Sequence, residues 1–333
     1  MVMSANERLF YHVLIRILFV AVIAGSLISL LAEQFWVAEL FTHFRLYYLL
    51  LQALLVLIFL HTGRHTLMAL TILFAMPNAW VAGPYLIPVY GGQRATAKAA
   101  TSIDIVALNV NYRNDGFARV AGYLRERDPD IIVIAEYTPA WRDELEFLRK
   151  SHPYQFGEVR PDPWGLAVFS RLPFMESELI DLADTDTVHA RFVFAAGMMS
   201  LEVFAVHLLP PKSAVWARNR NLQLENLVDQ LGASTHQRIV IGDLNLTPFS
   251  PYFSRFIERT GLQDARRVDG FHVTWPVSVF PVWIPIDHAL ADPEVNITSV
   301  HAGPDVGSDH FPLEIRVSKG VNKQPGQVRA VFE

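Results

Sequence analysis

Cysteine is absent from the 333 residues, which excludes disulfides, thiolate metal sites and a cysteine nucleophile. Acidic side chains are scarce in the first hundred residues, where Glu7, Glu33 and Glu39 stand against six lysines and arginines. The remaining 233 residues carry 22 basic and 30 acidic side chains, a net of −8. That balance gives no global basic footprint of the kind that holds long duplex nucleic acid. Polar sequence is also thin at the front, where the excess behind the chain's 51% apolar content is concentrated.

Three apolar stretches open the chain. Val13 to Leu31, at 19 residues, is long enough to cross a hydrocarbon core of roughly 30 Å as a helix. Arg16 lies near its start, where a long side chain reaches back to the interface. Leu46 to Leu60 is apolar apart from Gln52 and begins beside Phe44, Tyr47 and Tyr48. Leu67 to Ala82 follows the polar hairpin His61 to His65, and Pro77 is expected to kink it. No small-residue cleavage site follows the first stretch cleanly and two more stretches come after it, so a cleaved signal peptide fits poorly. Three spans put the two ends of the chain on opposite sides of a membrane. Arg8, Arg16 and Arg64 on one side balance Arg45, Arg94 and Lys98 on the other. The usual dominance of the first helix then sets the N-terminus inside and the bulk of the chain outside. The expected division is a three-helix membrane anchor over 1–90, a linker over 91–102, a soluble domain over 103–318 and a flexible tail over 319–333.

Within the soluble domain, strand-like and helix-like patterns alternate. Ile103 to Val110 and Ile131 to Ala135 read as buried strands, and Phe117, Val120, Ala121 and Leu124 have helical spacing between them. A helix is expected from about Pro139, and another carries Leu224, Leu227, Val228 and Leu231 before the strand Ile239 to Ile241. Val188 to Ala195 and Leu201 to Val206 read as a hairpin turning near Gly197. Mixed pairing of this kind implies an α/β domain with antiparallel strands.

The polar residues fall at the strand ends. Asn109 and Asn111 end the first strand, Glu136 the second, and His207 the strand from Leu201. Asp243 and Asn245 end Ile-Val-Ile-Gly-Asp-Leu-Asn, and Asp287 and His288 close Ile-Pro-Ile-Asp-His. Ser308, Asp309 and His310 precede Phe-Pro-Leu-Glu-Ile. A single Asp or Asn there is more often a turn former or cap. Repetition at six strand ends supplies carboxylate, amide and imidazole together, the kit of a hard-metal phosphate site.

These motifs resemble the endonuclease/exonuclease/phosphatase superfamily. The matching segments are Leu-Asn-Val-Asn at 108–111, Ile-Ala-Glu at 134–136, Phe-Ser-Arg at 169–171 and Val-His-Leu at 206–208. They continue in family order with Gly-Asp-Leu-Asn-Leu-Thr-Pro at 242–248, Ile-Asp-His at 286–288 and Gly-Ser-Asp-His-Phe-Pro at 307–312. Thr274-Trp275-Pro276 and Thr247-Pro248-Phe249-Ser250-Pro251 are similar to membrane-anchored bacterial branches, including teicoplanin-resistance-type proteins that act on lipid pyrophosphates. The sequence departs from the pattern at Ala135, where Gln is usual, and at His288, where Tyr or Phe is common.

The resemblance implies a four-layer α/β sandwich of two mixed sheets and a divalent-metal-dependent phosphoester hydrolase in a bacterial inner or plasma membrane. Glu136, Asn109 and Asp309 are then expected to hold Mg²⁺ or Mn²⁺, with no HExxH-type helix to favour zinc. His310, oriented by Asp287, is the expected base for the attacking water, which Asp243 positions. Asn245 is expected to donate to a phosphate oxygen and His207 to stabilise charge or assist the leaving oxygen. Asn111, Asn245 and Arg171 complete the expected substrate-binding set. The expected partners are the lipid bilayer and a phosphorylated substrate, with no obligate protein partner readable. A lipid-linked phosphate or pyrophosphate leads. A membrane-tethered nuclease is the alternative, with Arg113, Arg119, Arg160, Arg171, Lys212, Arg218 and Arg220 available to line a basic groove. An inactive binding domain is the remote third reading, since every catalytic residue type is present.

Overall fold

The computed structural model describes residues 4–87, 102–197 and 199–318; the tail and all of the expected linker before Ser102 lie outside the described residues. Four helices come first: α1 (Ala5–Ser29), α2 (Trp36–Thr42), α3 (Arg45–His61) and α4 (His65–Ala82). Ser4 starts α1 through a capping box with Glu7, each satisfying the other's backbone N–H. Helices α1, α3 and α4 pack on one another with an inverted polarity. Inside, the Gln52 amide donates to Ser26 Oγ at 3.1 Å, and Asn78 donates to Ser26 Oγ at 2.9 Å and to Gln52 Oε1 at 3.1 Å. Outside, Leu14, Ile17, Val20, Leu54, Leu57, Leu73 and Met76 are exposed. Leu9–Ser29 and His65–Tyr85 are long and apolar enough to cross a membrane, while α3 meets α2 at a bend of 57°.

The described residues from Ser102 onward form an α/β sandwich. Its first sheet uses β1 (Ser102–Asn109), β2 (Ile131–Ala135), β3 (Tyr154–Glu158), β4 (Leu166–Ser170), β11 (Ile297–Ala302) and β12 (Leu313–Ser318), ordered β11-β12-β1-β2-β4-β3. The second uses β5 (Phe174–Ile180), β6 (His189–Ala196), β7 (Met199–His207), β8 (Gln237–Asp243), β9 (Gln263–Asp264) and β10 (Asp287–Ala291), ordered β5-β6-β7-β8-β10-β9. Each sheet has one parallel pair, β1 with β2 and β7 with β8, among antiparallel neighbours. Helices α5 (Phe117–Arg127), α6 (Pro139–Glu144) and α7 (Leu148–Ser151) belong with the first sheet. Helices α8 (Ala214–Gly232) and α9 (Pro251–Thr260) cover the second, and α10 (Arg266–Asp269) is a short turn after β9.

Strand β2 shows why the runs are continuously apolar: Ile131 and Val133 face the opposite sheet, while Ile132 and Ile134 face the outer helices. Between the sheets lie Ile105, Val133, Val168, Phe192, Phe194, Val203 and Ile239. The expected four-layer sandwich of two mixed sheets is therefore observed. One strand boundary differs. Asp287 and His288 open β10 instead of closing a strand from Ile284, because Ile284 bridges Trp275 and Pro285 has no N–H to extend the ladder. Since Phe192 is fully buried between the sheets, Phe192→Ala is expected to cost about 3–5 kcal/mol. Thermal unfolding of the full chain in detergent should register this as a fall in Tm of about 10 °C.

Candidate active site

Both parallel pairs run toward one edge of the sandwich, and their carboxyl ends carry Asn109, Glu136, His207 and Asp243. Antiparallel pairing brings the start of β10 to that edge, with Asp287 directly opposite Asp243. The segment before β12 arrives there by the same logic, since Leu313 pairs with Ala107 near the end of β1.

Local turns then aim the side chains. Asn109 Oδ1 accepts from the Asn111 N–H at 3.0 Å, and Asp243 Oδ1 accepts from the Asn245 N–H at 2.8 Å. These are the same Asx turn at the ends of β1 and β8. Asn111, Glu136 and Asn245 all have positive φ, of 57°, 60° and 51°. Asparagine tolerates that region; glutamate seldom enters it, and here the Tyr112 N–H, donating to Glu136 Oε2 at 2.7 Å, holds it there. Gly242 has a φ of 130°, and a Cβ on it would lie 2.1 Å from the Val206 carbonyl oxygen, so the chain before Asp243 admits only glycine.

The groups form one connected cluster. Asn109 Nδ2 donates to Glu136 Oε1 at 3.0 Å and lies 3.4 Å from Asp243 Oδ2. Asn111 Nδ2 donates to Asp309 Oδ1 at 3.0 Å, and the Trp275 indole donates to Asp309 Oδ2 at 3.1 Å. His310 Nδ1 is 2.9 Å from Asp287 Oδ2, while its Nε2 is 3.8 Å from Asp243 Oδ2. His207 Nε2 lies 3.6 Å from Asp243 Oδ2 and 4.0 Å from Glu136 Oε1. Its Nδ1 is buried with no hydrogen-bond partner. Ser308 Oγ donates to the Asn109 carbonyl at 2.6 Å and accepts from the His310 N–H at 3.1 Å, tying the last segment to β1.

Burial alone pushes the His310 imidazole down, but the charge and hydrogen bond of Asp287, with Asp243 and Asp309 nearby, hold it up at about 10. Asp243 is pushed up to about 8 by burial and by the facing Asp287 carboxylate. Burial also disfavours ionised Asp287, but the His310 charge and hydrogen bonds from His310 and Thr274 outweigh it and keep the carboxyl below its usual range. His207 is lowered by burial, which favours its neutral form at neutral pH. The buried Asp243, Asp287 and His310 bring possible ligand atoms within 4.8 Å of one another. Glu136 and Asp309 add carboxylate oxygens, so the donor chemistry fits a hard divalent cation.

Arg171 requires a correction. It follows Ser170, which pairs with Ile131 at the start of β2, whereas Glu136 follows the end of β2. Five residues of strand put Arg171 about 16 Å from the cluster, where its guanidinium pairs with Asp128. His288 takes a structural position: its Nε2 is 2.8 Å from the Leu246 carbonyl and its Nδ1 is 2.9 Å from Arg266, fixing the turn after Asp243. Trp164 had no local signal, and Thr274 stood out only within the Thr274-Trp275-Pro276 resemblance, with no role attached. Trp164 lies with its ring centroid 5.4 Å from that of His207, and Thr274 Oγ1 accepts from the Asp287 N–H at 3.1 Å. Only long-range packing brings either to the site.

A two-sheet sandwich with this carboxylate, amide and imidazole edge defines the chain as a phosphoesterase of the divalent-metal class. It belongs to the Endonuclease/Exonuclease/phosphatase family, whose model matches residues 106–310. No curated protein matches the sequence. Among solved structures, the fold is similar to that of TDP2 from D. rerio complexed with a single-strand DNA product, at 19% identity and a TM-score of 0.53, covering 65% of this chain and 99% of that one. TDP2 from C. elegans is similar at 14% identity and a TM-score of 0.54, over 66% of this chain and 76% of that one. A family protein from Leptotrichia buccalis C-1013-b is similar at 14% identity and a TM-score of 0.54, over 65% and 99%.

The His310 environment gives a direct test. Because Asp287 holds the imidazole's proton, Asp287→Asn should lower the His310 pKa from about 10. In the chelated protein, NMR titration of labelled histidines should find His310 charged at pH 7.5, with its titration moving toward the ordinary value of about 6.5 in the variant.

Proposed function

We propose that the chain is a membrane-anchored phosphoester hydrolase acting on a lipid-linked phosphate or pyrophosphate at the bilayer surface. The observation that carries this reading is where the apolar helices meet the sandwich. Glu39 of α2 contacts Arg220 and Ser250, His43 Nδ1 lies 3.1 Å from Thr247 Oγ1, and the Tyr47 hydroxyl donates to the Trp283 carbonyl at 2.6 Å. Thr247 and Ser250 follow Asp243 and Asn245, and Trp283 shortly precedes Asp287. The helix ends therefore adjoin the loops that build the site, as enzyme action on a membrane-borne substrate requires. The polar interior and apolar exterior of α1, α3 and α4 support three spans.

Glu136, Asn109 and Asp309 are the proposed holders of Mg²⁺ or Mn²⁺. Asp287 and His310 are committed to each other at 2.9 Å, which supports a role in proton handling. A divalent ion, when bound, supplies positive charge against the negative charge that grows on the phosphoryl group. His310 Nε2 accepts a proton from the attacking water while Asp287 holds Nδ1–H, and Asp243, 3.8 Å from Nε2, orients that water. The neutral form of His310 is favoured when the adjoining carboxylates carry a cation. One Asn245 amide hydrogen is spent on the Leu208 carbonyl at 2.8 Å, leaving the second for a phosphate oxygen. Neutral His207 stands ready to stabilise the transition-state charge or assist the leaving oxygen.

A nuclease is the second reading, motivated by the D. rerio relative's single-strand DNA complex. Charge disfavours it. Of the candidate groove residues, Arg119 pairs with Asp305, Arg160 with Asp162 and Asp186, Arg171 with Asp128 and Arg220 with Glu39.

Purified protein assayed side by side on plasmid DNA and on a polyprenyl pyrophosphate should hydrolyse the lipid, require Mg²⁺ or Mn²⁺ and lose activity in EDTA. Glu136→Gln should raise the half-saturating ion concentration, and His310→Ala should lower turnover by about 10²- to 10⁴-fold with the fold intact. Full activity in EDTA, or preference for DNA, overturns the respective part of the proposal. Topology is tested separately. A reporter fused after Glu333 should read as extracytoplasmic, and protease added to spheroplasts should remove the catalytic domain; a cytoplasmic reading means that α3 does not cross.

A further inference from the structure

From Pro276 to Pro285 the sequence is Pro-Val-Ser-Val-Phe-Pro-Val-Trp-Ile-Pro, ten residues whose only polar side-chain groups are the Ser278 hydroxyl and the Trp283 indole N–H, the latter spent on the Val277 carbonyl. A backbone bridge between Trp275 and Ile284 closes this stretch into a loop. Its tip is open to the surroundings, with Phe280 75% exposed, Val279 49% and Val282 41%. Soluble surfaces seldom leave such a cluster uncovered.

Both ends of the loop are fixed to parts already described. At its base the Val277 N–H donates to the Asp309 carbonyl at 2.9 Å, the Trp275 indole holds the Asp309 carboxylate, and the Trp283 ring packs edge-on to Phe311 at 5.9 Å. On the other side the Tyr47 hydroxyl donates to the Trp283 carbonyl, and Tyr47 lies in the first turn of α3. The loop thus leaves the sandwich level with the end of an apolar helix. Other exposed apolar residues lie near those helix ends: Leu30 and Leu31 after α1, Phe35 and Val37 at α2, and Leu86 and Ile87 after α4. Aromatic and aliphatic side chains at the end of a spanning helix are where a bilayer's headgroup region begins.

We infer that the 277–283 loop is a second membrane contact, whose Val279, Phe280 and Val282 side chains enter the boundary between headgroups and acyl chains beside the active site. The inference rests on the membrane-anchored reading above. A phospholipid surface is the occupant because the apolar tip continues the helix-end surface and is bonded to it through Tyr47. Its consequence is spatial. Trp275, Asp309 and His310 stand at the loop's base, so a phosphate at headgroup depth is delivered to the catalytic edge without leaving the bilayer.

The lack of native cysteine makes the test clean. Phe280→Cys labelled with an environment-sensitive fluorophore, in the full chain reconstituted into phosphatidylethanolamine and phosphatidylglycerol vesicles, should shift to the blue and be quenched by lipids spin-labelled near the headgroup. Met175→Cys, exposed at the opposite end of the second sheet, should stay in water and unquenched. A Phe280 probe that remains water-exposed while the protein resists alkaline carbonate extraction overturns the loop contact alone. A blue shift without lipid quenching, rising with protein density, assigns the tip to a second copy of the chain and also overturns it. Extraction by carbonate overturns the anchor and the loop contact together. In activity, the triple variant Val279→Ser, Phe280→Ser and Val282→Ser should lose about tenfold on vesicle-borne polyprenyl pyrophosphate, the order expected from weakening apolar burial of a few side chains. On bis-p-nitrophenyl phosphate it should match the parent. An equal loss on both substrates, or none on vesicles, counts against membrane delivery by this loop.

Discussion

The whole active site depends on the parallel pairing of β1 with β2 and of β7 with β8, because that pairing ends four functional strands on one edge of the sandwich. Side chains alternate faces along a strand, so a slip of one residue in either pair would turn Asn109 or Asp243 away from the cluster. The opposing registers of β10 and β12 obey the same constraint from the other direction. Once the edge is assembled, short polar links set its detail. Two Asx turns, the left-handed Glu136 and the Ser308 hydroxyl convert six chain segments into one hydrogen-bonded cluster.

Electrostatics then divides the cluster into parts. Asp287 and His310 share a proton in a buried pair, and their mutual attraction outweighs the burial that acts against each charge. Asp243 is buried and faces the Asp287 carboxylate, so its carboxyl rises instead, with the His310 charge offsetting only part of the effect. Added positive charge on this edge favours the ionised carboxylates and the neutral imidazole together. The site is thereby matched to a cation and an anionic phosphate arriving in combination.

The apolar helices are built into this machinery. Glu39 and Arg220 are both fully buried at the junction, with Arg220 Nη2 at 2.7 and 2.5 Å from the two Glu39 oxygens. Arg220 Nη1 also donates to the Asn245 carbonyl at 3.1 Å, and Ser250 Oγ donates to Glu39 at 2.8 Å. A buried ion pair of this kind contributes more to defining one arrangement than to net stability, because desolvation offsets much of the attraction. Here it binds α2 directly to the turn that carries Asp243 and Asn245.

The sequence by itself determined the alternation of elements, the buried strand runs, the three apolar stretches and the polar residues that end each strand. Those signals are local: a strand buried on both faces must be apolar throughout, so the first polar residue after it marks the edge. It could not say at which edge a given strand ends. Arg171 ends β4 in the same way as Glu136 ends β2, yet the two strands are antiparallel and the arginine emerges at the far side. Trp164 and Glu39 were silent, since each acts on a partner tens to hundreds of residues away, and the Thr274 motif gave no sign that its hydroxyl braces Asp287. Only the tertiary structure decided which strand ends share an edge and which helix touches them, because strand direction, sheet order and docking arise from long-range packing that no local pattern encodes.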